Sequence, residues 1–215
     1  IFAIGDLHLD VNNEKPMNIF GSNWDNHEKK IKKDWLEKVK ENDLVILPGD
    51  LSWASTLEEA YSAFEYLEKL PGKKLLLKGN HDYWWNSLKK MNEFLYNNNF
   101  SSIHFLYNNS FLYDEYIIAG TRGWTQDDEK IINREKIRLE LSIQDGIKKY
   151  GTEKKLIIVM HYPPIGEFIN IIEKYNAKIA IYGHLHGLEN EPIINCKVPV
   201  KLVSSDYLNF TLYKL

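Results

Sequence analysis

Histidine, aspartate and asparagine recur in this sequence in five short groups that together could bind metal ions. Imidazole nitrogens and carboxylate or amide oxygens are donors that borderline transition metals accept. A pair of such ions supplies most of a hydrolytic mechanism, because it activates water and stabilises charge on the substrate. The groups hold five of the seven histidines, and they are Asp6-Leu7-His8, Gly49-Asp50, Gly79-Asn80-His81-Asp82, His161 and Gly183-His184-Leu185-His186.

An apolar run precedes each group, which is typical of a buried strand that ends in a loop. The runs cover residues 1–5, 44–47, 73–78, 156–160 and 178–182. In open α/β sheets, ligands bind beyond the carboxyl ends of the strands, where the loops converge. We therefore expect five loops that are distant in sequence to direct their side chains at one point.

Further elements are predicted between these strands. Apolar spacing and capping residues predict helices over residues 25–40, 56–70, 84–96 and 127–150. Additional strands are predicted over residues 103–106, 111–113, 116–119, 200–204 and 209–213, with the second and third of these forming a hairpin. Strands that alternate with helices indicate an α/β fold with much parallel pairing, in a mixed or two-sheet arrangement with helices outside. The length of 215 residues predicts one domain, residues 1–215.

The spacing within the groups bears on how they could bind metal. Residues two apart on extended backbone point to the same side, so Asp6 with His8, and His184 with His186, could each supply two ligands to one cluster. The carboxylate of Asp50 has two oxygens and could bridge two ions. Each group alone could equally be a turn or a helix cap. Their joint occurrence, in order and each after a strand, favours a metal site.

Composition narrows the class of protein. The formal net charge of −3 argues against a nucleic-acid partner, which usually requires a basic surface. The single cysteine, Cys196, excludes an intramolecular disulfide and a zinc site built on several thiolates. No apolar run approaches the ~18 residues of a membrane span, and no signal peptide is visible. We expect a cytoplasmic protein without a membrane partner. His27 and His104 lie outside the groups and are interpreted as structural.

In this order the groups resemble the signature of the calcineurin-like metallophosphoesterase superfamily. That signature reads D-x-H, G-D, G-N-H-[DE], H and G-H-x-H, and its counterparts here span Asp6 to His186. The resemblance implies a four-layered α/β/β/α sandwich with two mixed β-sheets flanked by helices. It also implies that Asp6, His8 and His186 hold one metal, that Asn80, His161 and His184 hold a second, and that Asp50 bridges both. The ligand set does not choose among manganese, iron and zinc.

The resemblance further implies hydrolysis of phosphoesters, either mono- or diesters, by a hydroxide that bridges the two metals. His81 would protonate or stabilise the leaving oxygen, and Asp82 would orient His81. Arg122, in the segment Gly120-Thr121-Arg122-Gly123-Trp124, is interpreted either as a ligand for the substrate phosphate or as part of a surface turn. Three tryptophans, Trp53, Trp84 and Trp85, follow the second and third groups, and they either line the cleft or pack in the core, with core packing slightly favoured.

Two other functions are compatible with the pattern. One is a DNA or RNA nuclease of the same superfamily, against which the acidic balance and the lack of extra segments argue. The other is a non-catalytic metal-binding scaffold for protein interactions, against which the complete ligand set and the His81–Asp82 pair argue. A small phosphoester is the expected partner. The sequence leaves the physiological substrate, the metals and the oligomeric state open.

Overall fold

The protein is described by a computed structural model that covers residues 1–10 and 16–215. Within these residues the chain forms ten β-strands. In chain order they are β1 (Phe2–Ala3), β2 (Leu44–Leu47), β3 (Lys73–Leu77), β4 (Ile103–Leu106), β5 (Ser110–Tyr113), β6 (Tyr116–Thr121), β7 (Lys155–Met160), β8 (Ile179–Tyr182), β9 (Val200–Leu202) and β10 (Tyr213–Lys214). Most of these positions follow the predicted apolar runs, with ends that differ by a few residues. The predicted strand over residues 209–213 is wrong for residues 209–212, which form a turn and irregular backbone before β10.

The strands form two mixed sheets of five strands each. The first sheet has the order β10-β1-β2-β3-β4, with β1 to β4 parallel and β10 antiparallel to β1. The second has the order β5-β6-β7-β8-β9, with β6 to β9 parallel and β5 antiparallel to β6. The β5–β6 pair is the predicted hairpin. At its turn Asp114 takes a left-handed backbone conformation (φ 52°), which aspartate tolerates better than most residues.

In residues 1–10 and 16–215, five α-helices connect these strands. They are α1 (His27–Lys38), α2 (Tyr61–Glu68), α3 (Leu88–Asn97), α4 (Glu129–Tyr150) and α5 (Glu167–Lys174). Two short 3₁₀ helices, Met17–Phe20 and Ser22–Trp24, precede α1. None of the helices in the described part of the chain is long and apolar enough to cross a bilayer.

The two-residue period of the strands assigns their side chains to layers. In β2, Val45 and Leu47 pack into the core that contains residues of α1, α2 and α3. Leu44 and Ile46 of the same strand face the opposite way, into an apolar layer shared with Ile118 and Ile157 of the second sheet. Because successive side chains of a strand point to opposite faces, one strand here contributes to two cores.

The second sheet repeats this arrangement. Its outer face packs against Leu139 and Ile143 of α4 and against Phe168 and Ile172 of α5, while Val159 points inward to the layer between the sheets. The layers are therefore helices, sheet, sheet and helices. The predicted four-layered α/β/β/α sandwich with two mixed sheets is confirmed.

The helices differ from the prediction in their number and in where they begin. Helix α5 was not predicted, because it is only eight residues long and shows its apolar positions over about two turns. Helix α2 begins at Tyr61 rather than near Thr56. Thr56 Oγ1 accepts a hydrogen bond from the Glu59 amide at 3.2 Å, as in a capping box, but the Glu59 carboxylate accepts from the Ser55 amide at 2.8 Å. The segment from 57 to 60 consequently forms turns.

Two further helix starts were predicted too early. Helix α1 begins at His27, and Asn26, not Asp25, is its N-cap residue, without a side-chain capping bond. Helix α3 begins at Leu88 after the N-cap residue Ser87, whose hydroxyl accepts from the Lys90 amide.

The carboxyl end of β1 joins the two sheets. The Gly5 amide donates to the Val203 carbonyl at 2.7 Å, and the Ser205 amide donates to the Gly5 carbonyl at 3.0 Å. Val203 and Ser205 follow β9 of the second sheet. These two bonds hold the loop after β1 against the loops of the other sheet, so residues from both sheets reach one place.

Candidate metal centre

The loops that follow the strands carry the candidate ligands on unusual backbone. Asp6, His8, Asp50 and His184 have φ values of 56°, 42°, 54° and 72°. This left-handed region is costly for residues other than glycine, and such residues are found where the surrounding structure holds them, often at functional sites. The extended backbone assumed for the pairs Asp6-x-His8 and His184-x-His186 is therefore wrong, although the three loops that carry these four left-handed residues still converge.

Two glycines permit this convergence by bringing backbone against carboxylate groups. A Cβ atom at Gly79 would overlap the Asp50 carboxylate, and one at Gly183 would overlap the Asp6 carboxylate. The His184 amide, just after Gly183, donates to both carboxylate oxygens of Asp6 at 3.0 Å. Glycine is thus required at both positions for close approach, and loops from the two sheets are fixed to each other.

One cluster of donor atoms consists of Asp6, His8 and His186. A carboxylate oxygen or ring nitrogen of each lies within 4.8 Å of the other two, which is a spacing that could hold a metal ion. His186 Nε2 lies 3.8 Å from Asp6 Oδ1. Asp6 and His8 are buried, while His186 lies at the rim with its side chain 34% exposed. The three residues are those that the resemblance assigned to the first metal.

A second cluster surrounds His161. Its Nε2 atom lies 2.7 Å from Asn80 Oδ1 and 3.6 Å from Asp50 Oδ2, and Asn80 Oδ1 is 2.9 Å from His184 Nδ1. Asp6 also belongs to this cluster, since its donor atom lies within 4.8 Å of those of Asp50 and His161. Asp50 Oδ2 is 3.8 Å from His8 Nε2, so Asp50 lies between the two clusters.

The hydrogen bonding of His161 tests whether this second cluster suits a cation. Its Nδ1 atom faces the Pro48 carbonyl oxygen at 2.9 Å, so we assign the proton to Nδ1. Burial lowers the pKa of His161 well below its usual value, and the neutral ring then presents an unprotonated Nε2 to Asn80 Oδ1 and Asp50 Oδ2. Nε2 and Asn80 Oδ1, 2.7 Å apart, are then two electron-pair donors that face each other and repel, and a cation next to both removes the repulsion. The donor set therefore fits a metal ion.

The electrostatics of the carboxylates lead to the same result. Burial is the main cause that raises the pKa of Asp6 to about 7. Burial also raises the pKa of Asp50 to about 9, and the charges of Asp82 and Asp6 raise it further. Burial also lowers the pKa of His184 to about 4 and that of His8 well below its usual value. Neutral imidazoles and buried carboxylates that lack a counter-charge are what a metal ion neutralises and coordinates.

Asp82 does not contact His81 in the way that the sequence suggested. Its Oδ2 atom accepts from the amides of Asp50 at 2.9 Å and Gly79 at 2.7 Å, and its Oδ1 atom accepts from the Leu51 amide at 2.9 Å. The predicted contact, in which Asp82 orients His81, is thus absent. Instead the fully buried Asp82 carboxylate connects the loop of Asp50 to the loop of Gly79. Oδ1 also accepts from Trp84 Nε1 at 3.1 Å, so each carboxylate oxygen accepts two N–H donors, and none of these comes from the His81 ring.

His81 instead lies at the edge of the site. Its amide donates to Asp50 Oδ1 at 2.8 Å, and its Nδ1 atom is 3.3 Å from the Tyr83 hydroxyl. The ring is half-buried and lies 5.7 Å from the ring of His8, measured between centroids. His81 is therefore close enough to the candidate ligands to act on a group that they bind.

Comparison with known protein families identifies the chain. The family model for calcineurin-like phosphoesterases matches residues 1–188, which include all seven candidate ligands. The chain belongs to the calcineurin-like phosphoesterase family. Membership supports a metal-dependent hydrolase of phosphoesters and implies divalent metal ions, while the number and identity of the metals remain predictions. No curated protein shows a significant match to this sequence.

Solved structures share the fold of this calcineurin-like phosphoesterase. AQ665 from Aquifex aeolicus, a protein of unknown function, is 18% identical with a TM-score of 0.55, over 99% of this chain and 93% of that one. The phosphopantetheinyl hydrolase PptH from Mycobacterium tuberculosis is 14% identical with a TM-score of 0.57, over 94% and 88%. TT1561 of Thermus thermophilus is 14% identical with a TM-score of 0.53, over 85% and 80%. At these identities the comparison shows the fold alone.

The three tryptophans of the motif loops have different environments. Trp84 and Trp85 are buried at 2% and 8% exposure in the core beneath α1, α2 and α3. Trp53 instead stacks on His8, with ring centroids 4.8 Å apart and planes at 21°, and its ring centroid is 4.2 Å from that of His81. The slightly favoured interpretation, core packing, describes Trp84 and Trp85, whereas Trp53 lines the phosphoesterase site.

Arg122 lies next to the second cluster rather than on a free surface turn. Its carbonyl oxygen accepts from the amides of His161 at 3.2 Å and Tyr162 at 2.9 Å. Its guanidinium group lies over the ring of Trp124, 5.0 Å from the centroid, and the charge contributes to the low pKa of His161. The structure thus places a fixed cation beside the candidate ligands.

Two residues of the site were missed in the sequence. Asp206 contacts His186, with Oδ1 2.9 Å from Nδ1 of the ring, and it follows β9 just as the other polar groups follow their strands. That signal could have identified it. Trp24 lies 5.6 Å from the ring of His186, between centroids, but it comes from a 3₁₀ helix outside the sheets and no strand precedes it.

Proposed function

We propose that this protein hydrolyses small phosphoesters at a dinuclear metal centre. In this reaction water adds across a P–O bond, so a monoester yields an alcohol and phosphate, and a diester yields an alcohol and a monoester. The observation that carries the proposal is the convergence of metal-ligating side chains around His161 and around Asp6, with His161 Nε2 facing Asn80 Oδ1 at 2.7 Å, a contact that a cation would stabilise. Family membership supports the same reaction class.

Seven residues would hold the metals. Asp6, His8 and His186 would bind one ion, Asn80, His161 and His184 would bind the other, and Asp50 would contact both from its position between the clusters. Bound ions of this kind, such as manganese, iron or zinc, supply a nucleophilic water at neutral pH and offset charge on the phosphoryl oxygens.

His81 would stabilise the oxygen of the leaving group. Burial and the charge of His186 lower its pKa, which favours the neutral ring, and a neutral ring acts by donating an N–H hydrogen bond. With Nδ1 next to the Tyr83 hydroxyl, the ring is held at the edge of the site. Asp82 would contribute indirectly, because it fixes the loops that carry Asp50 and Asn80.

An apolar cavity adjoins the first cluster and fits the leaving group. It has a volume of about 360 Å³ and is lined by Met17, Phe20, Trp24 and Trp53 next to His81 and His186. Aromatic side chains bind flat or apolar groups through contact with their faces. We therefore propose that the preferred substrates have an apolar or aromatic leaving group that binds in this cavity.

Metal content and turnover test the proposal. The protein would be assayed on 4-nitrophenyl phosphate and bis(4-nitrophenyl) phosphate with manganese and then with chelator, next to a variant, Asp50→Asn, and a control, His104→Gln. We expect metal-dependent hydrolysis of at least one ester, which Asp50→Asn abolishes and His104→Gln leaves unchanged. Bound metal without turnover would favour the scaffold, and hydrolysis of oligonucleotides alone would favour the nuclease.

A further inference from the structure

A second cavity is lined in part by Arg122, the residue next to the candidate ligand His161. It has a volume of about 210 Å³ and is located where β3, β4 and β6 end, against the first half of α4. Strands of both sheets thus end at this cavity, as they do at the metal centre. Arg122, which the sequence predicts to be either a phosphate ligand or part of a surface turn, belongs to this lining.

The cavity is strongly basic although the chain is acidic. Four basic side chains and one carboxylate line it, and they are Lys78, Arg122, Arg134, Arg138 and Glu135. The local net charge is therefore +3, whereas the whole chain carries −3. Like charges in one concave site repel and are costly unless an anion offsets them. We define this cavity by these five residues as the basic pocket.

A buried carboxylate organises the arginines of the basic pocket. Glu135 is fully buried, and its Oε1 atom accepts from Arg138 Nη1 at 2.9 Å and from Arg134 Nε at 3.3 Å. Its Oε2 atom accepts from the Thr121 hydroxyl at 2.6 Å. Each arginine uses only part of its set of N–H donors on Glu135, and a guanidinium has five. The remaining donors are available to a ligand from a fixed position.

Arg122 brings the basic pocket next to the metal centre. Its Nε atom is buried and has no hydrogen-bond partner among the described residues, which is costly for a charged group. Its backbone carbonyl holds the amide of the candidate ligand His161. Lys78 provides a second link, because it directly precedes Gly79-Asn80 in the sequence. An anion in this pocket would therefore lie close to a phosphoryl group at the metals.

We propose that the basic pocket binds a second phosphate of the substrate. The proposal rests on the proposed function, and it narrows the substrate class to phosphoesters that carry another phosphoryl group. Guanidinium groups match the geometry of phosphate oxygens by paired hydrogen bonds, and a phosphate dianion offsets more of a +3 charge than a carboxylate does. The aromatic cavity and the basic pocket would then hold different parts of one substrate.

Binding in the absence of metal isolates the pocket from catalysis. Tripolyphosphate would be titrated by calorimetry into the full chain in the presence of chelator at about 0.15 M salt, close to physiological ionic strength. We expect saturable binding that Arg122→Gln and Arg138→Gln each weaken by about 10- to 100-fold, as expected for loss of charged hydrogen bonds. Arg138→Lys would restore only part of the affinity, since lysine keeps the charge but not the paired donors.

The matched control for charge is Lys148→Gln. Lys148 is exposed and lies on the same helix, α4, so its loss changes the net charge equally without touching the pocket. We expect unchanged binding of tripolyphosphate in this variant. Equal weakening by Lys148→Gln, or no binding by the wild-type chain, would overturn the proposal. Circular dichroism of each variant would identify misfolding, and Arg122→Gln leaves the contacts of Glu135 intact as a second, independent variant.

Kinetics with manganese connect the pocket to the substrate. Two pairs would be compared: adenosine 3′,5′-bisphosphate with adenosine 5′-monophosphate, and fructose 1,6-bisphosphate with fructose 6-phosphate. We expect at least one bisphosphate to exceed its partner in kcat/KM by about 10-fold or more, with the ratio falling towards 1 in Arg138→Gln. Ratios near 1 for both pairs in the wild-type protein would overturn the proposal.

The two proposals fail in different ways. Binding of tripolyphosphate that depends on Arg122 and Arg138, with no hydrolysis of any ester, would contradict the proposed function and leave the anion site standing. Hydrolysis of nitrophenyl esters without such binding would contradict the basic pocket alone. A single-stranded oligonucleotide that binds more tightly than tripolyphosphate and depends on the same arginines would replace the small-molecule substrate by a nucleic acid.

Discussion

Asp206 holds the ring of His186 from the side that faces away from Asp6. Oδ1 of Asp206 accepts from Nδ1 of the imidazole at 2.9 Å, and Oδ2 accepts from the Gly187 amide at 2.8 Å. When the ring is neutral, this bond places its proton on Nδ1 and leaves Nε2, which is 3.8 Å from Asp6 Oδ1, for a metal. A carboxylate behind a ligating histidine fixes the orientation of the ring and makes it a better donor.

We therefore predict that Asp206→Asn weakens metal binding. The loss is expected to be about 10- to 100-fold in affinity, as for other carboxylates that orient a ligating histidine. Competition with a fluorescent chelator would measure it, with Asp114→Asn, an exposed turn residue, as the control. Unchanged metal affinity in Asp206→Asn would show that the contact has no influence on His186 as a ligand.

Asp82 is predicted to stabilise the fold and the metal site rather than to tune His81. In Asp82→Asn an amide nitrogen would replace one oxygen and face the N–H donors of the motif loops. We expect a loss of about 2–4 kcal/mol in the free energy of unfolding, measured by urea denaturation without metal. If Asp82→Asn unfolds at the wild-type urea concentration, its buried hydrogen bonds do not contribute as we argue.

His81 is predicted to affect the rate without affecting metal content. Its side chain lies at the edge of the site, whereas its contact with Asp50 is made by the backbone amide, which His81→Ala keeps. We expect kcat to fall by about 10²–10⁴-fold with wild-type metal stoichiometry, by rate assays and elemental analysis. Tyr83→Phe, which removes the hydroxyl 3.3 Å from Nδ1, should cost far less. Full turnover in His81→Ala would remove this residue from the mechanism.

Trp53 is predicted to contribute to binding of the leaving group. Because its ring stacks on His8 and contacts His81, we expect Trp53→Phe to raise KM for 4-nitrophenyl phosphate by about 5- to 20-fold, and to change KM for methyl phosphate little. Trp85→Phe, in the core, should change stability but neither KM. Equal effects of Trp53→Phe on both esters would indicate a disturbed metal site instead.

Much of the fold and of the donor set could be predicted because both are local in sequence. Four-residue apolar runs such as Leu44–Leu47 are strands, and the order of the motifs gave seven residues that the structure brings together. Burial in two cores follows from the alternation along such a strand. Prediction succeeded where one short segment of sequence determines the strand or the ligand group by itself.

Other features depend on contacts between segments that are distant in sequence. Asp82 is adjacent to His81, which suggested a pair, yet the tight third loop turns its carboxylate towards Leu51 and away from the His81 ring. Asp206 meets His186 only because β9 lies beside β8 in the sheet. The basic pocket likewise needs α4 to pack against β6 before Arg138 and Arg122 become neighbours.

Lys74 leads to a prediction about stability at alkaline pH. It is fully buried within β3, and its ammonium group donates to the Leu70 carbonyl and, at 3.0 Å, to the Ser102 hydroxyl. Burial lowers its pKa from 10.5 to about 8, although the charge of Glu68 opposes the shift. Between these two pH values the unfolded chain binds a proton that the folded chain has released, so stability rises with pH.

The variant Lys74→Met removes this titration. We expect the wild-type protein to gain about 2–3 kcal/mol of stability relative to Lys74→Met between roughly pH 7 and pH 10, with free energies of unfolding from urea denaturation at each pH. Subtracting the free energy of unfolding of Lys74→Met from that of the wild type cancels the contributions of the other lysines and tyrosines that titrate in this range. Lys73→Met, at the exposed neighbouring position, should give a difference that does not vary with pH. A constant difference for Lys74→Met as well would mean that Lys74 keeps an ordinary pKa in the folded protein, and that its two hydrogen bonds offset the cost of burying the charge.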